Sequence, residues 1–179
     1  DWKAPCAGEC DELVTVKFGI DVLQEQAFAP LQGKHIGLLT NASGVDTRLQ
    51  STVHILHGAE QVELVALFAP EHGMYNLQAD SEHVDYQVDG RTGLPVYSLY
   101  GQTVKPKLDW LHGLDAVVCD IQDIGVRFYT YLWTLSHLLE VAAECDIEVI
   151  ILDRPNPLSD FVSGPLLEAD PASLVVRFP

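Results

Sequence analysis

The stretch "LFAPEHG", residues 67–73, sets an acid and an imidazole side by side at the end of an apolar run. Val62 to Ala69 reads as a buried strand, Pro70 stops it, and Glu71, His72 and Gly73 follow at once. A carboxyl group directly after a buried strand serves no capping pattern. It suits proton transfer, the work that acid–base catalysis asks of Glu and His, and a salt bridge with Arg127 or Arg154 is the structural alternative. Polar clusters recur after the other apolar runs: Asn41, Ser43 and Gly44; Tyr100 and Gly101; Asp120, Gln122, Asp123 and Arg127; Asp153, Arg154 and Asn156. Singly, such residues cap helices and shape turns. As a set they offer the donors and acceptors that a hydroxylated ligand needs.

The elements that must position these clusters are legible from periodicity. "GIDVLQEQAFAPLQGK" has Ile20, Leu23, Ala27 and Leu31 at helical spacing, closed by Gly33. "KHIGLLTN" predicts a buried strand, and "TRLQSTVHILHG" predicts a helix with Leu49, Val53 and Leu56 on one face. Further strands are expected in "VELVALFA", "LPVYSLYG", "AVVCDIQ" and "EVIILDRPNP", with a long helix, "FYTYLWTLSHLLEVAAEC", between the last two. Apolar strands alternating with helices imply an α/β domain, doubly wound, its mostly parallel sheet covered by helices on both faces. Residues 1–17 read as an irregular lead-in and 18–179 as the domain. Residues 74–93, rich in Asp, Glu and His, read as a functional loop. In open sheets of this kind ligands bind beyond the carboxyl ends of the strands, where the polar clusters fall.

Composition narrows the partners. With 26 acidic and 10 basic residues the chain carries a formal charge of −16, so its long-range field repels nucleic acid and anionic membranes. No apolar run is long enough to span a bilayer. Cys6 and Cys10 could pair across a tight loop, whereas Cys119 and Cys145 read as small core residues. Neither a Gly-x-Gly-x-x-Gly nor a phosphate-loop motif is present, nor a Gly-x-Ser-x-Gly elbow, and no cofactor is expected. His54 and His57, three apart on the second helix, read as a solvated edge. A divalent ion gathered by Glu71, His72, His83 and the Asp120/Asp123 pair is a minor alternative, and no metal ligand is assigned.

"TNASGVD", "LVALFAPEHG", "TGLPVYSLYG", "DIQDIGVRFYTYLWTL" and "LDRPNPL...GPLL" resemble, in order and interval, the family of exo-acting β-N-acetylmuramidases of the NamZ type, from about Phe18 to Leu167. The resemblance implies a Rossmann-like N-terminal catalytic domain, with the family's smaller C-terminal domain absent from this chain. It implies a glycoside hydrolase that releases N-acetylmuramic acid from the non-reducing ends of peptidoglycan fragments, and hence an extracytoplasmic location. The family's presumed catalytic glutamate matches Glu71, with His72 beside it. Tyr75 and Asn76 stand where the family usually has Arg-Gly. Glycoside cleavage needs an acid for the leaving oxygen and usually a second group. Asp120, Asp123, Asp153 or the substrate's own acetamide could supply it. Arg127 and Arg154 are candidates for the lactyl carboxylate of muramic acid. Tyr129 and Tyr131 could line the sugar, with Asn41, Ser43, Gln122 and Asn156 as further contacts. The alternatives are a sugar-binding module without turnover and a metal-dependent hydrolase.

Overall fold

The computed structural model describes residues 16–75, 86–101, 103–158 and 162–165. Nearly all of the expected lead-in, with Cys6 and Cys10, lies outside them, as do Asn76 and His83. The chain runs α1 (Gly19–Glu25), β1 (His35–Thr40), α2 (Thr52–His57), β2 (Glu63–Ala69), β3 (Tyr86–Val88), β4 (Pro95–Ser98), α3 (Leu108–Leu111), β5 (Ala116–Asp120), α4 (Thr130–Glu144) and β6 (Glu148–Ile151). The six strands form one sheet in the order β3-β4-β2-β1-β5-β6. Its neighbours are parallel except at β3, which pairs antiparallel with β4.

The expected α/β architecture is present, and side-chain alternation explains it. Ile36 and Leu38 of β1 and Val118 of β5 enter one apolar cluster with Ile20, Leu23 and Leu56 from α1 and α2. Leu39 of β1 and Val117 of β5 enter a second with Leu111, Leu138 and Val141 from α3 and α4. Both faces of the central strands are therefore dry, which is why their sequences are continuously apolar. Cys119 lies in the second cluster, where burial, with the Asp120 charge behind it, pushes its thiol up to about 12. Cys145 packs at that cluster's edge.

Three elements differ from the sequence expectation. The first helix stops at Glu25, because Ala27 and Phe28 take positive φ (50° and 58°) and a short 3-10 turn at Ala29–Leu31 finishes the segment. Leu31 stays buried although the helix that should carry it has ended. The second helix starts at Thr52 rather than Thr47. Asp46, fully buried, accepts the backbone N–H groups of Arg48 (2.9 Å) and Gln50 (2.8 Å) and folds this stretch into a loop, leaving Leu49 at φ 62° and 80% exposed. The segment read as a loop over 74–93 contains β3, an edge strand of three residues with too few side chains for a period to register. Pro95 opens β4.

Next to β3 the chain is pinned by Asp89, 4% exposed. It accepts from Tyr75 Oη (2.5 Å) and from the backbone N–H and hydroxyl of Thr92 (2.9 and 2.7 Å). The Arg91 guanidinium lies over the Tyr75 ring at 4.9 Å. Burial alone would raise the Asp89 pKa, but these hydrogen bonds outweigh it and hold the carboxyl below its ordinary value of 3.8; burial and Asp89 push the Tyr75 hydroxyl up to about 12. A depressed carboxyl contributes stability above its unfolded pKa and loses it as the pH falls through its folded value. Tyr75→Phe should therefore cost about 1.5 kcal/mol at pH 7, as for a hydrogen bond to a charged group. Urea unfolding of both proteins at pH 7 and at pH 3 should show that gap narrowing in acid.

Candidate active site

Pro70 to Gly73 close a turn, the Gly73 N–H donating to the Pro70 carbonyl at 3.0 Å. His72 occupies its third position at φ 68° and Gly73 follows at φ 74°. A positive φ there is the mark of a type II turn, and histidine tolerates it better than most residues. The turn leaves His72 exposed and Glu71 half-buried at the carboxyl end of β2. Glu71 Oε2 accepts from Thr130 Oγ1 at 2.7 Å. Thr130 opens α4, and the turn before it is fixed by Trp133 Nε1 donating to the Arg127 carbonyl (2.8 Å).

The next residue, Tyr131, is buried, its ring 4.5 Å from that of Tyr129. Burial raises the Tyr131 hydroxyl above its ordinary value. Tyr129 and the nearby Glu71 charge push the same way, and the Asn41 amide opposes them. Glu71, Thr130, Tyr129, Tyr131 and Asn41 thus share one neighbourhood. Thr130 is the member that sequence reasoning missed. Its only signal was a hydroxyl residue inside "FYTY", five places after the "DIG" turn.

The strand order reverses between β1 and β5, the crevice where this architecture places its ligands. Asn41 Oδ1 accepts from the backbone N–H and the hydroxyl of Ser43 (2.9 and 2.6 Å), and Ser43 Oγ accepts from the Gln122 N–H (3.0 Å). Gln122 Nε2 donates to the Asp123 and Pro155 carbonyls (2.7 and 3.0 Å). Asp123 Oδ2 accepts from the Gly125 N–H (2.9 Å). Asn41 Nδ2 and Asp123 Oδ1 are buried and make no hydrogen bond of ordinary geometry, although the Asn41 amide acts on the Tyr131 hydroxyl. Two glycines permit this closeness. A Cβ on Gly44 would lie 2.0 Å from Thr40 Oγ1, and one on Gly125, at φ 74°, 2.3 Å from Asn156 Oδ1.

Asp120 and Arg154, both sequence candidates for ligand contact, are instead committed to each other. Arg154 Nε donates to Asp120 Oδ1 at 2.6 Å and Nη2 to Asp120 Oδ2 at 3.0 Å, and Nη2 also reaches the Val45 carbonyl at 2.7 Å. Thr52 Oγ1 donates to the same carboxylate. Both side chains are almost fully buried, at 4% and 1% exposure. Asp153 is exposed and accepts from the Arg154 N–H (2.9 Å), and Asn156, also exposed, accepts from the Leu158 N–H (2.9 Å).

Arg127 is exposed, and its guanidinium has no partner among the described residues. The other described cations are occupied: Lys17, Lys34, Lys105, Arg48 and Arg154 by carboxylates, Arg91 and Lys107 by aromatic rings.

A cleft of about 220 Å³ lies between β5, α4 and β6, lined by Asp123, Tyr131, Leu132, Asp153 and Arg154 among others. A larger groove of about 420 Å³, between α1 and β6, touches Asp153 and Arg154 but no member of the Glu71 cluster. The smaller cleft is therefore the one of chemical interest. Among the described residues no group of three or more His, Cys, Asp or Glu side chains converges as for a metal ion. His54 and His57 are exposed.

Residues 36–179 match the family model described as exo-β-N-acetylmuramidase NamZ, N-terminal. The chain belongs to this family. It is 45% identical over 165 residues to the peptidoglycan β-N-acetylmuramidase NamZ of Bacillus subtilis, an alignment covering 92% of this chain and 40% of that protein. Two crystal structures of DUF1343-family proteins from Bacteroides fragilis are similar. One superposes with TM-score 0.82 at 47% identity (93% of this chain, 42% of that one), the other with TM-score 0.75 at 34% identity (92% and 42%). The chain thus spans about two-fifths of the length of these relatives.

The region matched by the NamZ model begins within β1 and takes in every strand-end cluster described above. The Asp120–Arg154 pair is the buried part of those clusters. Removing one partner from a buried ion pair strands the other charge without water and typically costs about 3–5 kcal/mol. Asp120→Asn and Arg154→Met should each lower stability by that order in denaturant unfolding. A loss within about 0.5 kcal/mol, as at an exposed pair, would show that the buried pair does not anchor these loops.

Proposed function

We propose that the chain carries the catalytic site of an exo-acting glycoside hydrolase that releases N-acetylmuramic acid from the non-reducing ends of peptidoglycan fragments. The observation that carries this reading is Glu71 itself: a half-buried carboxyl at the end of β2, steadied by the Thr130 hydroxyl. Tyr131, Tyr129 and Asn41 lie close by. Family membership and the name of the Bacillus subtilis relative support the substrate.

In the reaction Glu71 gives its proton to the glycosidic oxygen as the bond to the anomeric carbon breaks, and water supplies the new hydroxyl. With Asp120 bound to Arg154, the second group is drawn from Asp123, Asp153 or the substrate's own acetamide. His72, exposed beside the acid, borders the approach to it. Tyr129 offers a partly buried ring to the sugar face. Arg127 is suited to the lactyl carboxylate, being the described cation with no prior claim on its charge, and a guanidinium pairs a planar carboxylate in two-pronged fashion. An extracytoplasmic location accords with a peptidoglycan-derived substrate, and the charge of −16 argues against a nucleic-acid partner. No described helix is long and apolar enough to cross a membrane.

In the full-length protein, Glu71→Gln should reduce turnover of a chromogenic N-acetylmuramide by about 10²–10⁴-fold, the usual share of a general acid. The unfolding midpoint should stay near wild type, because the amide oxygen still accepts from Thr130. Near-normal turnover would exclude Glu71 as the acid. Loss of folding together with activity would make it a structural residue.

Arg127→Lys should weaken binding of N-acetylmuramic acid about ten- to a hundredfold more than that of N-acetylglucosamine, which lacks the lactyl carboxylate. Ligand-observed NMR titration of both sugars checks this. Equal losses would remove Arg127 from recognition.

A further inference from the structure

The two unpartnered polar atoms of the site, Asn41 Nδ2 and Asp123 Oδ1, are fixed in identity by what their other halves do. Asn41 Oδ1 accepts from the Ser43 backbone N–H, a group that can only donate. The amide therefore cannot be turned round, and its NH2 is the free end. Asp123 Oδ2 is taken by the Gly125 N–H, which leaves Oδ1 as a free acceptor.

One chain of hydrogen bonds joins the two residues across the β1/β5 crevice, from Asn41 to Ser43, from Ser43 Oγ to the Gln122 N–H, and from Gln122 Nε2 to the Asp123 carbonyl. Tyr131, itself buried, is the residue common to both. Its hydroxyl feels the Asn41 amide and the Glu71 charge, and its ring lines the cleft with Asp123. A fixed donor and a fixed acceptor therefore flank one side chain beside the acid.

Buried polar groups without partners are rare because each loses its water and receives nothing in return. At a binding site the missing partner arrives with the ligand. A secondary amide answers them with two separate atoms, a carbonyl oxygen for the donor after β1 and an N–H for the acceptor after β5, where a hydroxyl offers both functions at one oxygen. A phosphate or carboxylate would bring only acceptors and would face the Asp123 charge.

We propose that Asn41 and Asp123 are the acetamide-recognising pair of this site, Asn41 Nδ2 donating to the acetyl carbonyl and Asp123 Oδ1 accepting from the amide N–H. This rests on the glycosidase reading above and adds the group by which the sugar is recognised and turned toward Glu71. Both atoms are closed to water in the free protein, so the acetyl group must displace what covers them. The Tyr131 hydroxyl, tied to Tyr129 and adjacent to Asn41, is the group that gives way.

The test measures binding by ligand-observed NMR in the full-length protein, using N-acetylmuramic acid, its 2-O-acetyl ester analogue and N-acetylglucosamine. The ester keeps the carbonyl and lacks the N–H. Wild type should prefer the amide to the ester about ten- to a hundredfold, the value of one hydrogen bond to a charged acceptor. Asp123→Asn should reduce that preference to about one. Asn41→Asp should weaken amide and ester alike and keep the preference. Where Asn41→Asp fails to fold, Asn41→Leu, which removes the donor without adding charge, should give the same pattern.

Wild-type affinities and preference retained in both variants would overturn the proposal while leaving the glycosidase reading intact. Binding of N-acetylglucosamine but not of N-acetylmuramic acid would refute the muramyl substrate. The amide pair would then stand if Asp123→Asn still abolished the preference of N-acetylglucosamine over its own 2-O-acetyl ester. Failure of every acetamido sugar to bind would overturn both.

Discussion

The Asp120–Arg154 ion pair is the interaction on which the arrangement of the site depends. Asp120 is the last residue of β5 and Arg154 stands three residues beyond β6. Their contacts draw in Thr52 at the start of α2 and the Val45 carbonyl in the loop after β1. Phe18, just before α1, presents its ring 4.8 Å from the same guanidinium. Two charges taken out of water are costly, and only full hydrogen bonding on both sides offsets that cost. Here both carboxylate oxygens and the donors Nε and Nη2 are engaged, so four segments distant in sequence are held to one geometry. Any shift of Arg154 would loosen the β1 and β5 loops together, and those loops carry Asn41, Ser43, Gln122 and Asp123.

Charge acts on two scales. At long range the chain repels anions, and a muramyl ligand bearing a carboxylate gains nothing from the overall field. Within a Debye length of about 8 Å at physiological ionic strength, local charges decide instead. Most described cations are already neutralised by their own carboxylates, which removes them as anion traps. Arg127 keeps its charge unspent and stands in the β5–α4 connection, a few residues from Asp123 and from Thr130. An anion is therefore attracted at one place near the acid and repelled elsewhere, which is a condition for orientation more than for affinity.

The fold was legible because β1, β2 and β5 are buried on both faces and their sequences say so. Glu71 and the strand-end clusters were legible for a related reason, since polar residues directly after such strands must lie where the sheet opens. Interior partnerships were not. Nothing in "DRPNP" separates an arginine that binds ligand from one that closes on Asp120 over a sequence distance of 34 residues. Thr130 reads as an ordinary helix residue until β2 and α4 are brought together. The early end of α1 and the late start of α2 escaped periodicity because Ala27, Phe28 and Leu49 have side chains that fit the helical pattern, while backbone hydrogen bonds around Asp46 and the 3-10 turn hold them out of it.

The proposed acid, the proposed amide pair and the unclaimed cation are not independently adjustable, because one connection carries most of them. Residues 121–129 hold Asp123 and Arg127 and lead into Thr130, the donor that steadies Glu71. Their path is set by Gly125, which alone fits against Asn156, and by the Trp133 bond to the Arg127 carbonyl. A displacement of this connection by a fraction of an ångström would change the acid's support, the amide acceptor and the anion contact at once. In the proposed reaction, recognition of the sugar and protonation of its leaving oxygen would be coupled through a single stretch of backbone. Shifts of this backbone should alter binding and turnover together, whereas Glu71 is carried by the β2 turn and lies outside it.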